Sequence, residues 1–145
     1  MKKIVVLVLA MALAGYAQEK GEKKTKAPQA VMDAFKKAYP NAQIKNVSSE
    51  KEGGKIIYEV ESVDGTQRRD LLYSADGKVL ETEEAIPNAQ IPKTVVDAVA
   101  AKYPKAPIVS AEKLTKTGES MIYELVIKVA GKNKEVQVDP SGKIK

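Results

Sequence analysis

Two stretches decide the fold: Pro28–Ile44, PQAVMDAFKKAYPNAQI, and Pro92–Ile108, PKTVVDAVAAKYPKAPI. At an offset of 64 they are identical at eight of 17 positions: Pro, Val, Asp, Ala, Tyr, Pro, Ala and Ile. Further on, Ile57-Tyr58-Glu59 returns as Ile122-Tyr123-Glu124, and Asp76-Gly77-Lys78-Val79 as Ser141-Gly142-Lys143-Ile144. This is an internal duplication, and two copies suit a paired two-repeat unit rather than a solenoid. Each copy opens with a helix. Pro28 and Pro92 suit the first helical position, where a missing N–H costs nothing. Val31, Ala34, Phe35, Ala38 and Tyr39 make an apolar stripe at helical spacing, repeated by Val95, Ala98, Val99 and Tyr103. Asp33 and Asp97 are expected early in the helices, where the macrodipole favours negative charge. Pro40 and Pro104 end the helices, because a residue before proline avoids the α region. Tyr39 and Tyr103 therefore sit at equivalent helix ends, with their rings toward the core.

Beyond each helix the period changes to two. The first copy reads as strands over 44–50, 56–63, 67–73 and 78–82. The second reads as strands over 108–114, 121–129 and 132–138, with a stub after Gly142. Asp64-Gly65 is a two-residue hairpin signal. The expected fold is α+β: two tandem repeats, each one helix packed on a four-stranded antiparallel meander. Repeat 1 is assigned to 28–84 and repeat 2 to 85–145, and the acidic, proline-containing Glu81–Gln90 reads as the linker joining them.

The N-terminus reads differently. Lys2 and Lys3 precede an unbroken apolar run from Ile4 to Ala14, and Gly15-Tyr16-Ala17 places small residues before Gln18. That is the three-part pattern of a signal peptide, residues 1–17, cleaved before Gln18. Cleavage after Ala14 and an uncleaved anchor are the alternatives. The expected location is periplasmic or secreted, with no stable membrane insertion after cleavage. Residues 18–27, beginning QEKGEKKTK, are almost free of apolar side chains and read as a flexible charged tether.

Composition excludes several chemistries. The 145-residue chain has no Cys and no His. Thiol nucleophiles, disulfides, thiolate zinc sites, a lipoprotein anchor and a Ser-His-Asp triad are therefore absent. Losing Lys2 and Lys3 from 24 basic residues leaves 22 against 19 acidic ones, net +3. With the two signs interspersed, nucleic acid is not an expected partner. Glu81-Thr82-Glu83-Glu84 lacks the spacing of a calcium loop, and Asp76-Gly77-Lys78 is a turn rather than a phosphate loop. No cofactor or metal is expected.

The layout resembles the PepSY-like family of secreted bacterial proteins, also described as beta-lactamase-inhibitor-like. The resemblance rests on Ala38-Tyr39-Pro40-Asn41-Ala42 and Lys102-Tyr103-Pro104-Lys105-Ala106 after amphipathic helices. It rests also on Tyr58-Glu59-Val60 leading to Asp64-Gly65, and on Asp76-Gly77-Lys78. It implies two repeats sharing a continuous, concave sheet, and a non-enzymatic binding or inhibitory role outside the cytoplasm. The second copy departs from the pattern at Ala130-Gly131 and at its curtailed last strand. With no Trp and a single Phe in the helix stripe, lactamase inhibition is not carried over.

Counting outward from an Asp64-Gly65 turn gives a register. Tyr58 would face Leu71 and Ile56 would face Tyr73 on the helix side. On the other side Ile57 would face Leu72, Glu59 would face Asp70 and Glu61 would face Arg68. In the second copy Gln137 would face Glu124. Ile57, Leu72, Ile122 and Val126 fall on the outer face, rimmed by Glu59, Glu61, Arg68, Asp70 and Lys128, a recognisable patch. The candidate binding residues are accordingly Ile57, Glu59, Glu61, Arg68, Asp70, Leu72, Ile122 and Val126, engaging a protein or peptide. The alternatives are a structural or envelope-stress protein that forms a homodimer through the same face, and an enzyme using the Glu59–Asp70 pair.

Overall fold

The computed structural model describes residues 23–145. The signal peptide, both cleavage sites and the start of the tether lie outside them. Two ten-residue helices, α1 (Gln29–Ala38) and α2 (Lys93–Lys102), occupy positions 64 residues apart, as the duplication requires. The strands are β1 (Lys23–Lys24), β2 (Gln43–Glu52), β3 (Lys55–Asp64), β4 (Gln67–Ser74), β5 (Val79–Ile86), β6 (Ile108–Lys116), β7 (Ile122–Val129) and β8 (Lys132–Val138). They form one antiparallel sheet in strict chain order from β1 to β8. A short 3-10 helix, Asn88–Gln90, leads into α2.

Both helices lie on the same face, each over its own repeat. Val31 and Phe35 of α1 pack on Val60, Leu71 and Tyr73. Val95 and Val99 of α2 pack on Tyr123, Leu125, Ile127, Val136 and Val138. The alternation that makes Tyr58, Val60, Tyr123, Leu125 and Ile127 face the helices is the one read from the sequence. Tyr39 and Tyr103 cap the helix C-termini with matching backbones, φ −132° and −129°. Each is half-buried at the edge of its core. Tyr39 stacks against Phe35 at 5.6 Å and lies under the Arg69 guanidinium at 5.0 Å. Pro28 and Pro92 are N-cap residues rather than first-turn residues. Asp33 and Asp97 lie beyond the first turn, each bonded to the residue four earlier, Gln29 at 2.7 Å and Lys93 at 2.6 Å.

The hairpin glycine at the foot of each helix explains the repeated Gly-Lys signature. Gly77 (φ +82°) and Gly142 (φ +91°) close turns with the same pattern of backbone bonds: Ser74–Lys78 and Gly77–Ser74 in one, Asp139–Lys143 and Gly142–Asp139 in the other. Each turn presses on the first turn of its helix. A Cβ on Gly77 would lie 2.5 Å from the Ala30 carbonyl oxygen, and one on Gly142 2.9 Å from that of Thr94. Only glycine satisfies both the positive φ and the close approach.

Three expectations change. The repeats are not equally four-stranded: among the described residues the fourth strand of the second copy is a single bridge, Val138 to Ile144. Glu81–Ile86 is not a linker but most of β5, paired with β4 on one side and β6 on the other, and it makes the two repeats one sheet. The end of the expected tether is not free: Lys23–Lys24 pairs with Ser48–Ser49, and Ala27 packs against the first core.

Candidate functional site

The face opposite the helices carries all eight candidate residues. Cross-strand partners share a face, so the ladders can be followed across it. One row runs Asn46, Glu61, Asp70, Glu83, Leu114, Ile122. A second runs Ser48, Glu59, Leu72, Glu81, Lys116. A third runs Ala85, Glu112, Glu124, Gln137. No helix covers this face among the described residues. Ile57, Glu61, Leu72 and Val126 are half-buried, Glu59, Asp70 and Ile122 are buried, and Arg68 is exposed.

The register differs from the one counted from the turn. Asp64 pairs with Gln67, so the two central residues are Gly65 and Thr66, with the glycine first at φ +60°. A type II′ hairpin wants its glycine in that place. Every partner moves by two residues. Glu61, not Glu59, opposes Asp70, and Glu59 opposes Leu72. Ile57 opposes Ser74 and Tyr58 opposes Tyr73. The Glu59–Asp70 and Glu61–Arg68 pairs of the sequence reading do not exist. The faces survive because a shift of two preserves the pleat, whereas a shift of one would have turned the strand over. In the second copy Gln137 does oppose Glu124 and donates to it at 2.7 Å.

What the sequence reading missed is the density of buried acid. Six carboxylates on this face are at most 8% exposed: Glu59, Asp70, Glu81, Glu83, Glu112 and Glu124. Four of them lie outside the candidate set. Glu81 and Glu83 were hidden in a run that looked like a solvated linker. The available signal was parity: 81 and 83 alternate with Thr82 and Glu84, and Glu84 on the helix side binds Arg69 at 2.8 Å.

Burial disfavours the charged form of a carboxylate and raises its pKa. Asp70 is pushed up to about 6, chiefly by burial and then by Glu61, with Arg68 opposing. Glu112 is pushed up to about 7 by burial, Asp70 and Glu124, again against Arg68. Glu83 is raised furthest, by burial first and then by Glu112, Glu124 and Glu81, with which it shares a hydrogen bond. Glu124 is raised by burial against the bond from Gln137. The neutralising contacts are few: Lys116 reaches Glu81 at 3.2 Å, the Ser48 hydroxyl donates to Glu59 at 3.0 Å, and the Asn46 amide donates to Glu61 at 2.9 Å. Such a face holds protons near neutrality and offers negative charge to anything cationic that covers it.

The family described as "Putative beta-lactamase-inhibitor-like, PepSY-like" matches the chain twice, over residues 23–81 and 57–145. No curated protein matches it. Among solved structures, the chain shares its fold with a protein from Bacteroides eggerthii described as one of the "putative periplasmic proteins". That likeness has a TM-score of 0.70 at 16% identity, covering 83% of this chain and 86% of that one. A BLIP-like protein from Bacteroides fragilis has a TM-score of 0.66 at 22% identity, covering 83% and 84%. A DUF2874 family protein from Bacteroides uniformis has a TM-score of 0.69 at 18% identity, covering 82% and 86%. With a duplicated helix-and-meander sequence, one continuous sheet and family matches that together span residues 23–145, the chain belongs to the PepSY-like family.

Proposed function

We propose that the chain is exported and acts in the periplasm or outside the cell as a non-enzymatic module that binds a protein or peptide through the outer sheet face. The carrying observation is that this face, uncovered by any helix among the described residues, combines Ile57, Leu72, Ile122 and Val126 with buried carboxylates. Apolar anchors supply affinity on desolvation, while surrounding charges steer encounter and reject wrong partners. The signal-peptide pattern of residues 1–17 supports export. So does the description of the Bacteroides eggerthii protein of the same fold. No helix among the described residues is long and apolar enough to cross a membrane.

Capture from envelope extract tests the reading, using the parent, Ile57→Lys and Arg68→Glu alongside circular dichroism. Ile57→Lys keeps the fold, because the side chain points away from both cores, and loses the captured protein. Arg68→Glu changes the strength of capture and makes it more salt-sensitive, since Arg68 is the cation that offsets Asp70 and Glu112. A folded Ile57→Lys variant that captures the same protein as the parent overturns the assignment of this face. A parent mass in solution that rises with concentration, and stops rising in Ile57→Lys, would instead identify the face as a homodimer interface of a structural or envelope-stress protein.

A further inference from the structure

We propose that the outer face recognises a cationic segment of a protein partner, lysine or arginine side chains seated over Glu83, and that seating them releases protons to solvent. The inference rests on the outer face being the binding surface and adds the chemistry of what it binds.

Glu83 lies at the middle of the sheet, on β5, with Asp70 opposite on β4 and Leu114 opposite on β6. It is 5% exposed, and although Glu83 shares a hydrogen bond with Glu81, no donor of the sheet reaches its buried Oε2. A buried carboxylate oxygen without a donor is costly, and a donor arriving from outside the sheet would relieve that cost. The charged and titratable groups facing Glu83 are Asp70 and Arg68 from β4, Glu81 from its own strand, Glu112 and Lys116 from β6, and Glu124 from β7. Four are acidic and two basic, and Lys116 is engaged with Glu81. The surplus is negative, and what complements it is a cation.

The spread of the acids favours an extended segment over a point ion. Glu59, Asp70, Glu83, Glu112 and Glu124 stand on five successive strands, β3 to β7, spaced about 4.8 Å apart. Among the described residues no three converge in a group that could hold a metal. A guanidinium suits this surface because it is planar, always charged and able to donate to two carboxylates at once. When it arrives, the proton held on the Glu83 cluster is no longer needed to neutralise it and passes to buffer.

The probe is a capped tetra-arginine peptide, compared with its uncharged citrulline counterpart, with spermidine and with calcium. Binding to the exported chain is measured by calorimetry at pH 7 in two buffers of different ionisation enthalpy, and by side-chain carboxyl NMR. Tetra-arginine binds, moves the carboxyl resonances of Glu83, Asp70 and Glu112, and releases protons. Glu83→Gln weakens binding about tenfold, the worth of one charge-assisted hydrogen bond, and cuts the proton release, whereas Glu119→Gln in an exposed turn changes neither. The proposal is overturned if the citrulline peptide, spermidine or calcium binds as well as tetra-arginine, or if the Glu83 resonance in the parent does not move. The parent NMR decides even if Glu83→Gln misfolds. Envelope capture lost in Ile57→Lys but intact in folded Glu83→Gln would overturn the cation inference alone, leaving the binding face. Capture intact in both would overturn the binding face as well.

Discussion

Raising the pH from 5 to 8 should destabilise this protein, opposite to the behaviour of a chain whose carboxylates are salt-bridged. Asp70 moves from an ordinary value of 3.8 to about 6 and Glu112 from 4.5 to about 7. Both bind protons more tightly folded than unfolded. Their stabilisation is therefore full below the unfolded values and drains away as the pH rises through about 6 and about 7. Each pH unit over which the unfolded group is ionised and the folded one is not costs about 1.4 kcal/mol. From pH 5 upward that window is about one unit for Asp70 and two for Glu112, an upper value of about 4 kcal/mol. The two groups interact and share Arg68, so the measured loss should be about 2–4 kcal/mol. Glu83 and Glu124 shift the same way. Asp76 and Asp139 shift downward and act only in stronger acid. Urea unfolding followed by circular dichroism at pH 5, 6, 7 and 8 reads the effect directly as a falling midpoint. Asp70→Asn with Glu112→Gln should make the profile shallower, leaving the part that belongs to Glu83 and Glu124. Equal or greater stability at pH 8 would refute the claim that these carboxylates are held protonated by burial.

The other predictions concern the fold and its export. Gly77→Ala should cost about 3 kcal/mol, because strain at positive φ adds to a collision with the Ala30 carbonyl, whereas Gly65→Ala, with open space around it, should cost about 1 kcal/mol; urea midpoints compare them. Ala130 carries φ +48° in the Ala130-Gly131 hairpin, so Ala130→Asn should stabilise by about 1 kcal/mol, read as a rise in melting temperature. Phe35→Ala, at a 1% exposed position, should cost about 3–5 kcal/mol, and Tyr39→Ala, half-buried at the core edge, about half as much. Mass spectrometry of the envelope or supernatant form should show Gln18 as the first residue, and an intact Met1 species soluble in the cytoplasm would refute the export reading.

The duplication, both helices and the strands that follow them were legible because they depend on local periodicity. Val31 and Phe35 at helical spacing, and Tyr58 and Val60 at strand spacing, point the same way whatever else the chain does. For the same reason the outer face was assigned correctly: parity along a strand survives a register error of two. The pairing itself was not legible. Asp64-Gly65 and Gly65-Thr66 are both plausible turn centres, and choosing between them depends on how β3 and β4 align along their whole length. The role of Glu81–Ile86 was hidden for a deeper reason. An acidic run is solvated when it is a linker and buried when strands flank it on both sides, and those strands, β4 and β6, come from different repeats. Which carboxylates lose water, and so hold protons or call for a cation, is set by neighbours distant in the chain. The sequence by itself determined what each element is and which way its side chains face. Only the tertiary structure decided that Glu83 and its neighbours share one buried surface, because desolvation is a property of the assembled sheet and not of any strand within it.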